Sequence, residues 1–434
     1  MVSFGLTFGH VATNMGDLAL NVGVRRLVET VSNPTVKICL LKPNAGHLER
    51  AKPTLGPSGT EIVSLDESML ATEKLLEYCA EPEAFLVDAN LADVDVIMTH
   101  SGEHLFAPRR PENPDTLWRI LPGLAAKAAG KKSIVLPSTF GPFDDQHLSR
   151  AIGHLLSSAD AAAGRESASV ALVEEAFDLR LPALLDPAFL IATGDRPAVR
   201  ETGRLIRIGM ALRIEEFGLR AGIVASRERS ARFRESGYRE SMAFALATGV
   251  MERLYPAVDG EVSLFVQTIA DQHLQTAIAA EGGKLMRSEG RIKVVAGESV
   301  ESYLEALAGL DMLISARFHG CILALLGGVP AVGVHMASHG HKMPGLFALL
   351  GVPDYCLTVA PENAHEAGRQ IPMLFGRRTL SFQNVWSRIA ELELRTRDWF
   401  QQAVESPTIN STTDAHEGLR ALEEAAMRFE WASS

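Results

Sequence analysis

The sequence predicts an α/β protein in which two Rossmann-like domains face each other across a cleft, with helices at the C-terminus. Two observations predict this class. Short β-branched runs alternate with longer amphipathic runs, which is typical of parallel sheets with crossover helices. The alternation then occurs a second time, after a polar, aperiodic segment at residues 192–204 that we predict to be a linker.

The predicted elements follow from these periodicities. In the first half, strands are predicted at residues 3–8, 36–41, 61–65, 95–99, 133–136 and 159–163, and helices at 17–31, 67–79, 116–129, 146–157 and 167–176. In the second half, strands are predicted at 207–212, 262–266, 292–295, 311–315, 331–334 and 356–359, and helices at 240–254, 300–308, 320–326 and 342–350. Two further helices are predicted at 382–404 and 415–431. The predicted domains are therefore 1–195, 196–380 and, for the C-terminal helices, 381–434.

Composition excludes several classes of protein. Hydrophobic residues make up 47% of the 434 residues and charged residues 22%, which excludes a disordered chain. The formal net charge of −11 argues against a nucleic-acid partner, because phosphate neutralisation needs a basic surface. The four cysteines form no C-x-x-C pair, and no stretch of 18 apolar residues occurs. We expect a cytoplasmic protein, either free or in peripheral contact with the inner face of the plasma membrane.

The segment HVATNMGDLAL at residues 10–20 follows the first predicted strand and opens the first long helix. Asn14 and Asp17 are suited to capping that helix, and Gly16 permits a tight backbone turn. Ligands of open α/β sheets lie beyond the carboxyl ends of the strands, where this loop stands. We predict Asp17 as a catalytic residue and Asn14 and Gly16 as substrate-binding residues, with simple capping as the alternative.

A second loop combines an arginine, a histidine and a helix start. The strand ending at Ser315 leads through Arg317 into a helix that we predict to begin near Gly320. A helix start offers free N–H groups, and an arginine can grip a phosphate or carboxylate with two hydrogen bonds. His319 can move a proton near neutral pH, so we predict it as catalytic. Arg317, Phe318 and Gly320 are predicted to bind substrate, and a structural salt bridge of Arg317 is the alternative.

Arg213 ends the first predicted strand of the second domain, in the segment GMALR. By topology it should point into the same cleft as Arg317. Two arginines suit a ligand that carries more than one negative charge, so Arg213 is predicted to bind substrate. Pairing with Glu215 or Glu216 is the alternative.

Several short pieces stand in order along the chain. They are N-x-G-D at 14–17, G-P-F at 141–143, R-E-x-x-S-V at 165–170, D-P-A-F at 186–189, Arg213, R-x-H at 317–319, G-V-P-A-V at 328–332 and Lys342. Each piece is short, but together and in this order they resemble the polysaccharide pyruvyl transferases. The resemblance covers residues 10–358 of the chain.

The resemblance implies a two-domain, GT-B-like fold and a transferase activity. Such proteins transfer the enolpyruvyl group of phosphoenolpyruvate onto two sugar hydroxyls, giving a pyruvate ketal and phosphate. It implies that Arg213, Arg317 and His319 contact phosphoenolpyruvate, and Lys342 is carried over as a substrate-binding residue. The expected partners are phosphoenolpyruvate and a sugar acceptor, which is a polysaccharide or its lipid-linked precursor. The acceptor is expected on the first domain and phosphoenolpyruvate on the second, with no cofactor.

One loop departs from the family pattern. Family members usually carry a glycine-rich loop after the fourth predicted strand, whereas this chain reads HSGEHLF at residues 100–106. Because that loop lies in the expected acceptor domain, we predict Glu103 as a catalytic base and His104 as a substrate-binding residue that could also take the proton. Hydrogen bonding within the loop is the alternative.

A histidine cluster and an arginine-rich segment also stand out in the sequence, and two rival functions remain open. His335, His339 and His341 lack a carboxylate or cysteine at ligand spacing, so no metal site is predicted. The arginine-rich segment at 227–240 is interpreted as a solvated, ion-paired face, or as a loop gripping the diphosphate of a lipid-linked acceptor. The rival functions are a GT-B nucleotide-sugar glycosyltransferase and a non-catalytic glycan- or anion-binding protein. The sequence leaves the acceptor sugar and the oligomeric state open.

Overall fold

The computed structural model describes residues 2–10, 14–41, 45–65, 68–108, 115–191, 205–214, 231, 233–254, 260–285, 291–336 and 340–433. The chain divides into two units. Unit 1 contains Met1–Ala12, Leu20–Ile191 and Glu391–Ser434, and unit 2 contains Thr13–Ala19 and Ala192–Ala390. The linker predicted at 192–204 lies outside the described residues. Each unit has its own parallel sheet, so the predicted α/β class is confirmed.

The sheet of unit 1 is apolar and parallel. Its described strands are β1 (Ser3–Thr7), β2 (Thr35–Leu41), β3 (Glu61–Leu65), β4 (Val96–Thr99), β5 (Glu103–Ala107), β6 (Lys132–Phe143) and β7 (Ala161–Gly164). They run in the order β3-β2-β1-β4-β6-β5, and β7 also pairs with β6. Thr7 is opposite Thr99 across β1 and β4, the two neighbouring strands at which the order reverses. Continuous apolar strands such as VIMT form because crossover helices cover both faces of a parallel sheet.

The helices of unit 1 form these crossovers. They are α1 (Met15–Val28), α2 (Ala45–Leu55), α3 (Thr72–Ala80), α4 (Pro82–Asp88), α5 (Asp115–Ala128), α6 (Gln146–Ser158) and α7 (Ser167–Phe177). Helix α6 begins where Asp145 Oδ1 accepts the N–H groups of His147 at 3.1 Å and Leu148 at 2.9 Å. The first turn of α1 belongs to unit 2.

The sheet of unit 2 repeats the same plan. Its described strands are β8 (Ile206–Ala211), β9 (Gly260–Val266), β10 (Ile292–Ala296), β11 (Met312–Ser315), β12 (Ala331–His335) and β13 (Cys356–Thr358). They run in the order β10-β9-β8-β11-β12-β13, so the order reverses between β8 and β11. The covering helices are α8 (Met242–Leu254), α9 (Gln272–Leu285), α10 (Val300–Ala308), α11 (Phe318–Leu326), α12 (Lys342–Leu349) and α13 (Ala364–Phe382).

Two long helices close the chain. Helix α14 (Val385–Glu405) begins in unit 2 and ends in unit 1, and α15 (Thr412–Ser433) belongs to unit 1. Leu419, Leu422 and Ala425 of α15 are buried in the main apolar core of unit 1. A side chain at Gly418 would meet Leu124 of α5 at 2.6 Å, so the two helices lie in close contact there. The predicted C-terminal helices are confirmed, and they complete the core of the unit that begins the chain.

The structure differs from the predicted elements at several places. Residues 103–107 form strand β5, paired with an extension of β6, where a loop was expected. Helices α2, α4, α9 and α13 were not predicted. Helix α11 begins at Phe318 and not near Gly320. Among the described helices, none is long and apolar enough to cross a membrane.

Candidate active site

Two arginines leave adjacent strands of unit 2 at the same level. Ala211 of β8 is opposite Ser315 of β11 in the ladder, and Arg213 and Arg317 each stand two residues beyond that pair. This is the point at which the strand order reverses, where open α/β sheets form a crevice for ligands. The register therefore places two arginines that are 104 residues apart in the sequence beyond the ends of neighbouring strands.

Arg317 is held by a buried carboxylate. Its Nε donates to Asp271 Oδ2 at 3.1 Å, and its Nη2 donates to Asp271 Oδ1 and to Thr268 Oγ1. Asp271 is 3% exposed, whereas the side chain of Arg317 is 17% exposed. Three of the five N–H donors are thus used, and within the described residues the two on Nη1 have no partner. Arg317 forms the salt bridge given as the alternative, and its Nη1 takes no part in that salt bridge.

The carboxylate comes from the segment that follows β9, two strands away from β11 in the sheet. Thr268 and Asp271 form a capping box around the short helix Ile269–Asp271, which directly follows β9. The backbone N–H of Thr268 donates to Asp271 Oδ2 at 3.3 Å, so the carboxylate is fixed from both sides. Sequence reasoning missed this partner, although an acidic residue in the loop that follows a predicted strand lies at the edge that carries the arginines.

Helix α11 begins at the same edge, with Arg317 as its N-cap residue. The hydroxyl of Ser315 accepts the N–H of Arg317 at 3.0 Å and donates to the carbonyl of Arg317 at 2.8 Å. Gly320 is required here, because a Cβ at this position would lie 2.4 Å from the Ser315 hydroxyl. Phe318, which was predicted to bind substrate, is buried, so its ring is not exposed to a ligand.

His319 packs against the first turn of α1. A Cβ on Gly16 would lie 2.4 Å from His319 Nδ1 and 2.6 Å from its Cγ, so a glycine is needed for the two to approach. His319 is itself buried, at the start of α11. The R-x-H and N-x-G-D pieces, which are more than 300 residues apart in the sequence, therefore meet within unit 2.

A glutamine that the sequence analysis did not identify fixes the loop before α1. The carbonyl of Gln267 accepts the N–H of Met15 at 3.1 Å, and its side-chain Nε2 donates to Asn14 Oδ1 at 3.2 Å. The same Oδ1 accepts the N–H of Gly16 at 3.0 Å. The amide oxygen of Asn14 is thus occupied, which leaves its NH₂ group, without a partner in the described part of the chain, to face a ligand. Asp17 is half-buried in the first turn of α1, where a carboxylate is favoured by the helix dipole.

A small apolar pocket lies at the carboxyl edge of the same sheet and includes Arg213. Its other lining side chains come from the ends of β8, β11, β12 and β13 and from α8. They are Leu212, Met242, Ala243, Leu246, Ala316, Val334, Met336 and Val359. The arginine thus stands at the margin of an apolar surface. Lys342 begins α12, the helix that follows β12.

The predicted acceptor residues lie in unit 1. Glu103 opens β5 and is half-buried, while His100 and His104 are buried. Burial lowers the pKa of both imidazoles well below its ordinary value, and the neighbouring His10 and Arg119 lower it further. Both rings are therefore neutral at neutral pH. The loop predicted at 100–106 is confined to three residues, because the segment EHLFA pairs with β6.

Two further pieces of the resemblance form a buried network in unit 1. Arg165 directly follows β7, donating from Nε to Thr139 Oγ1 at 2.8 Å and from Nη1 to Asp186 Oδ2 at 2.7 Å. The other oxygen of Asp186 accepts the N–H of Ala188 at 2.8 Å and caps a short helix. The pieces R-E-x-x-S-V and D-P-A-F thus join the end of β7 to the loop that follows α7.

One group of three potential metal ligands lies together among the described residues: His154, Asp414 and Glu417 of unit 1. Asp414 is already bonded to His154 Nδ1 and to the hydroxyl of Ser157. These contacts join α6 to the start of α15, so packing accounts for the group. His339 of the sequence cluster lies outside the described residues.

The combination of paired arginines, a helix start and the N-x-G-D turn can be compared with known proteins. The model of the polysaccharide pyruvyl transferase family matches residues 14–335. This chain belongs to the polysaccharide pyruvyl transferase family. The matched span of this family member contains Asn14, Arg213, Arg317 and His319 together with strands β2 to β12. No curated protein matches the sequence.

The fold of this pyruvyl transferase family member is similar to solved GT-B-type structures. A glycosyltransferase from Rickettsia africae has a TM-score of 0.54 at 10% identity, with 94% of this chain and 99% of that chain covered. Anabaena Alr3699/HepE in complex with UDP and glucose has a TM-score of 0.52 at 11% identity, covering 93% and 99%. The UDP-GlcNAc 2-epimerase of Neisseria meningitidis, bound to UDP-GlcNAc, has a TM-score of 0.50 at 10% identity, covering 91% and 100%. At these identities the likeness establishes the GT-B-like fold alone.

Proposed function

We propose that this protein transfers the enolpyruvyl group of phosphoenolpyruvate to two hydroxyls of a sugar, forming a pyruvate ketal and releasing phosphate. One observation carries the proposal. The β8–β11 register sets Arg213 and Arg317 side by side at the reversal of strand order, next to the start of α11. A small ligand with two anionic groups matches two arginines and a row of helix N–H donors.

The donor fits hydrogen-bond donors of unit 2 that the contacts within the unit leave unused. Arg317 offers its two Nη1 donors, already oriented by Asp271, to the phosphate or carboxylate of phosphoenolpyruvate. The NH₂ group of Asn14 and the N–H group of Gly320 add neutral donors. Little reorganisation is needed, since buried partners hold Arg317 and Asn14. The apolar pocket beside Arg213 suits the methylene group of the same ligand.

The transfer requires an acid that donates a proton, a base that accepts one, and the departure of phosphate. His319 is proposed to deliver the proton to the methylene carbon or to stabilise the departing phosphate. Asp17, in the first turn of α1, is proposed as a second catalytic group, and Lys342 as a further cation for the donor. In unit 1, Glu103 is proposed as the base and His104 as a residue that contacts the acceptor.

The acceptor is proposed to be a polysaccharide, or its lipid-linked precursor, in the cytoplasm. This assignment rests on the family to which the chain belongs. Free oligosaccharides and lipid-linked ones carry the same hydroxyl pairs, so an acceptor screen needs both. The lipid-linked form would bring the enzyme to the inner face of the plasma membrane.

Ligand-induced stabilisation tests the donor assignment. Phosphoenolpyruvate should raise the Tm of the wild type, whereas UDP-glucose and inorganic phosphate at equal concentration should raise it much less. Arg317→Lys should lose most of the shift, because lysine cannot reproduce the planar grip. Arg420→Lys, an exposed change on α15, is the matched control and should keep it. A Tm shift with UDP-glucose and none with phosphoenolpyruvate would instead favour the nucleotide-sugar glycosyltransferase.

A further inference from the structure

One segment of unit 2 contacts three loops of the candidate active site. It runs from the end of β9 through the short helix 269–271 into α9. Its contacting side chains stand four residues apart and are buried: Gln267, Asp271 and Gln275, with exposed fractions of 2%, 3% and 0%. The first holds Asn14 and the second holds Arg317. The third, Gln275, contacts the loop that carries Arg213.

Gln275 binds the backbone at the point where β8 ends. Ala211 is the last residue of β8, and its carbonyl accepts the N–H of Ala316 at 3.0 Å. Leu212 lies one residue beyond the strand and is fully buried. Its carbonyl accepts a hydrogen bond from Nε2 of Gln275 at 2.7 Å. Because a buried carbonyl needs a donor, this amide fixes the chain one residue before Arg213.

The amide of Gln275 is committed to this one contact. A carbonyl only accepts, so Nε2 faces Leu212, and Oε1 is buried with no hydrogen-bond partner among the described residues. A buried oxygen without a donor lowers stability, whereas a methionine of similar volume would bring no such cost. Gln275 therefore contributes a specific hydrogen bond and not only volume, and that hydrogen bond goes to the backbone of a site loop.

Asp271 and Gln275 act from one face of a continuous helical stretch. Gln272 joins the short helix 269–271 to α9 with φ and ψ of −53° and −47°, which are helical values. Residues four apart are neighbours on the surface of a helix. The carboxylate reaches the loop after β11 and the amide reaches the end of β8, and these two strands are adjacent in the sheet. One helical element thus holds both loops that carry an arginine.

We propose that Gln275 is a positioning residue of the donor site, which acts by fixing Arg213. The proposal rests on the proposed function, in which Arg213 and Arg317 bind phosphoenolpyruvate. Two arginines grip one small ligand only while their spacing is kept, and a small displacement of either costs affinity. Asp271 fixes the guanidinium of Arg317, and Gln275 fixes the backbone on which Arg213 stands. The segment after β9 therefore sets the spacing of the two cations.

A cycle of double variants, followed through the affinity for phosphoenolpyruvate, tests the proposal. Gln275→Met keeps the volume of the side chain and removes the amide. It is combined with Arg213→Lys and, separately, with Arg317→Lys. Gln370→Met, an exposed change on α13 of the same unit, is the matched control. Calorimetric titration gives each Kd, and urea denaturation shows whether each variant is folded.

If Gln275→Met does not fold, Gln275→Asn takes its place in the cycle. It keeps the amide but withdraws it by one methylene from the Leu212 carbonyl.

Gln275→Met should bind phosphoenolpyruvate about tenfold more weakly than the wild type, whereas Gln370→Met should bind it equally well. In the Arg213→Lys background the same change should weaken binding by less than about twofold, because the grip that Gln275 supports is already lost. In the Arg317→Lys background it should still weaken binding about tenfold, since Gln275 does not act through that arginine.

A purely structural role of Gln275 would weaken binding by the same factor in both backgrounds. That result, or an affinity equal to that of the wild type in the Gln275 variant, would overturn the proposal. If the wild type binds phosphoenolpyruvate in that case, the positioning role alone fails. If the wild type binds none, the proposed function fails as well.

Discussion

Each unit has an arginine–aspartate pair beyond the end of a strand of its parallel sheet, and the two pairs differ in exposure. Arg165 directly follows β7 of unit 1, and Arg317 follows β11 of unit 2. Both bind a buried aspartate, Asp186 or Asp271. The side chain of Arg165 is 2% exposed, and that of Arg317 is 17% exposed. Exposure of the arginine separates the pair that can only hold the fold from the pair that can also meet a ligand.

The comparison shows why residue type and position do not by themselves define a binding arginine. Both arginines belong to pieces of the family resemblance, and both stand at the carboxyl edge of a parallel sheet. The guanidinium of Arg165 is enclosed with Thr139 and Asp186, so its donors serve the loop that follows α7. Arg317 leaves Nη1 outside the pair. In both units a buried aspartate orients the arginine. The burial of the arginine itself then decides whether a ligand can reach its guanidinium group.

The largest expected effect lies beside the exposed pair. His319→Ala should lower turnover by about 10²–10⁴, because it removes a positioned acid. Phosphoenolpyruvate-dependent phosphate release measures the loss, and His416→Ala is the control. Turnover near that of the wild type, in a variant that still binds phosphoenolpyruvate, would remove His319 from the chemistry.

Breaking the enclosed pair should affect stability. Arg165→Met leaves the carboxylate of Asp186 buried without its partner, which should lower the free energy of unfolding by about 3–5 kcal/mol. The corresponding Arg317→Met should lose less, since solvent reaches that pair. Urea denaturation of both variants measures the difference. Equal losses would show that exposure does not distinguish the two pairs.

Acidic pH should lower the stability of unit 1, in which His100 and His104 are buried. The pKa of His100 and of His104 is lowered in the folded protein from an ordinary value of 6.5, so the unfolded chain binds protons first. Stability is then complete above about pH 6.5 and falls as the pH drops towards the lowered pKa, by up to about 1.4 kcal/mol per pH unit for each ring. Tm measured from about pH 8 to pH 5 checks this. His104→Gln should have a shallower slope than the wild type; an unchanged slope would contradict the assignment.

The exposed pair should be sensitive to the shape of its cation. Arg317→Lys and Arg213→Lys keep the charge but lose the planar grip, so phosphoenolpyruvate affinity should fall about tenfold, or about 1.4 kcal/mol. Calorimetric titration measures it. Acceptor affinity should change much less, and a loss confined to the acceptor would move these arginines to the other substrate.

The smallest effect is expected from the predicted acceptor residues. Glu103→Gln and His104→Ala should change phosphoenolpyruvate affinity by less than about 1 kcal/mol while lowering acceptor-dependent phosphate release. Both quantities are measured on the same preparations. Unchanged release with every acceptor tried would assign these two residues to hydrogen bonding within unit 1.

The sequence predicted the strongly periodic elements well. Helix α10 forms over 300–308 as predicted, because Ser299 and Ser302 cap it and an apolar face follows. Strand β3 likewise has its predicted bounds. Strand β5 was not predicted, since EHLFA has no β-branched residue and is a strand only because β6 extends beside it. The start of α11 was placed late because glycine suggested a boundary, whereas the Ser315 hydroxyl binds the backbone N–H of Arg317 and begins the helix earlier.

The arginines and the histidine of the candidate site could be read from the sequence, but the residues that hold them could not. Arg213 and Arg317 follow short apolar runs that predict strands, which is a local signal. Asp271 and Gln267 act through contacts with residues 46 and 253 positions away. Such partners are set by strand order, which a single sequence does not reveal. The contact of Gly16 with His319 depends in the same way on tertiary packing.

Because of the C-terminal helix α15, the unit that begins the chain receives the last of its core residues at the end of synthesis. Proteins are synthesised from the N-terminus, and an N-terminal domain usually folds first on the ribosome. Here the apolar core of unit 1 includes Leu419, Leu422 and Ala425, which are translated after every residue of unit 2. Nascent unit 1 therefore exposes the apolar faces of α5 and α6 while unit 2 is being made. The unit that is begun first is therefore finished last.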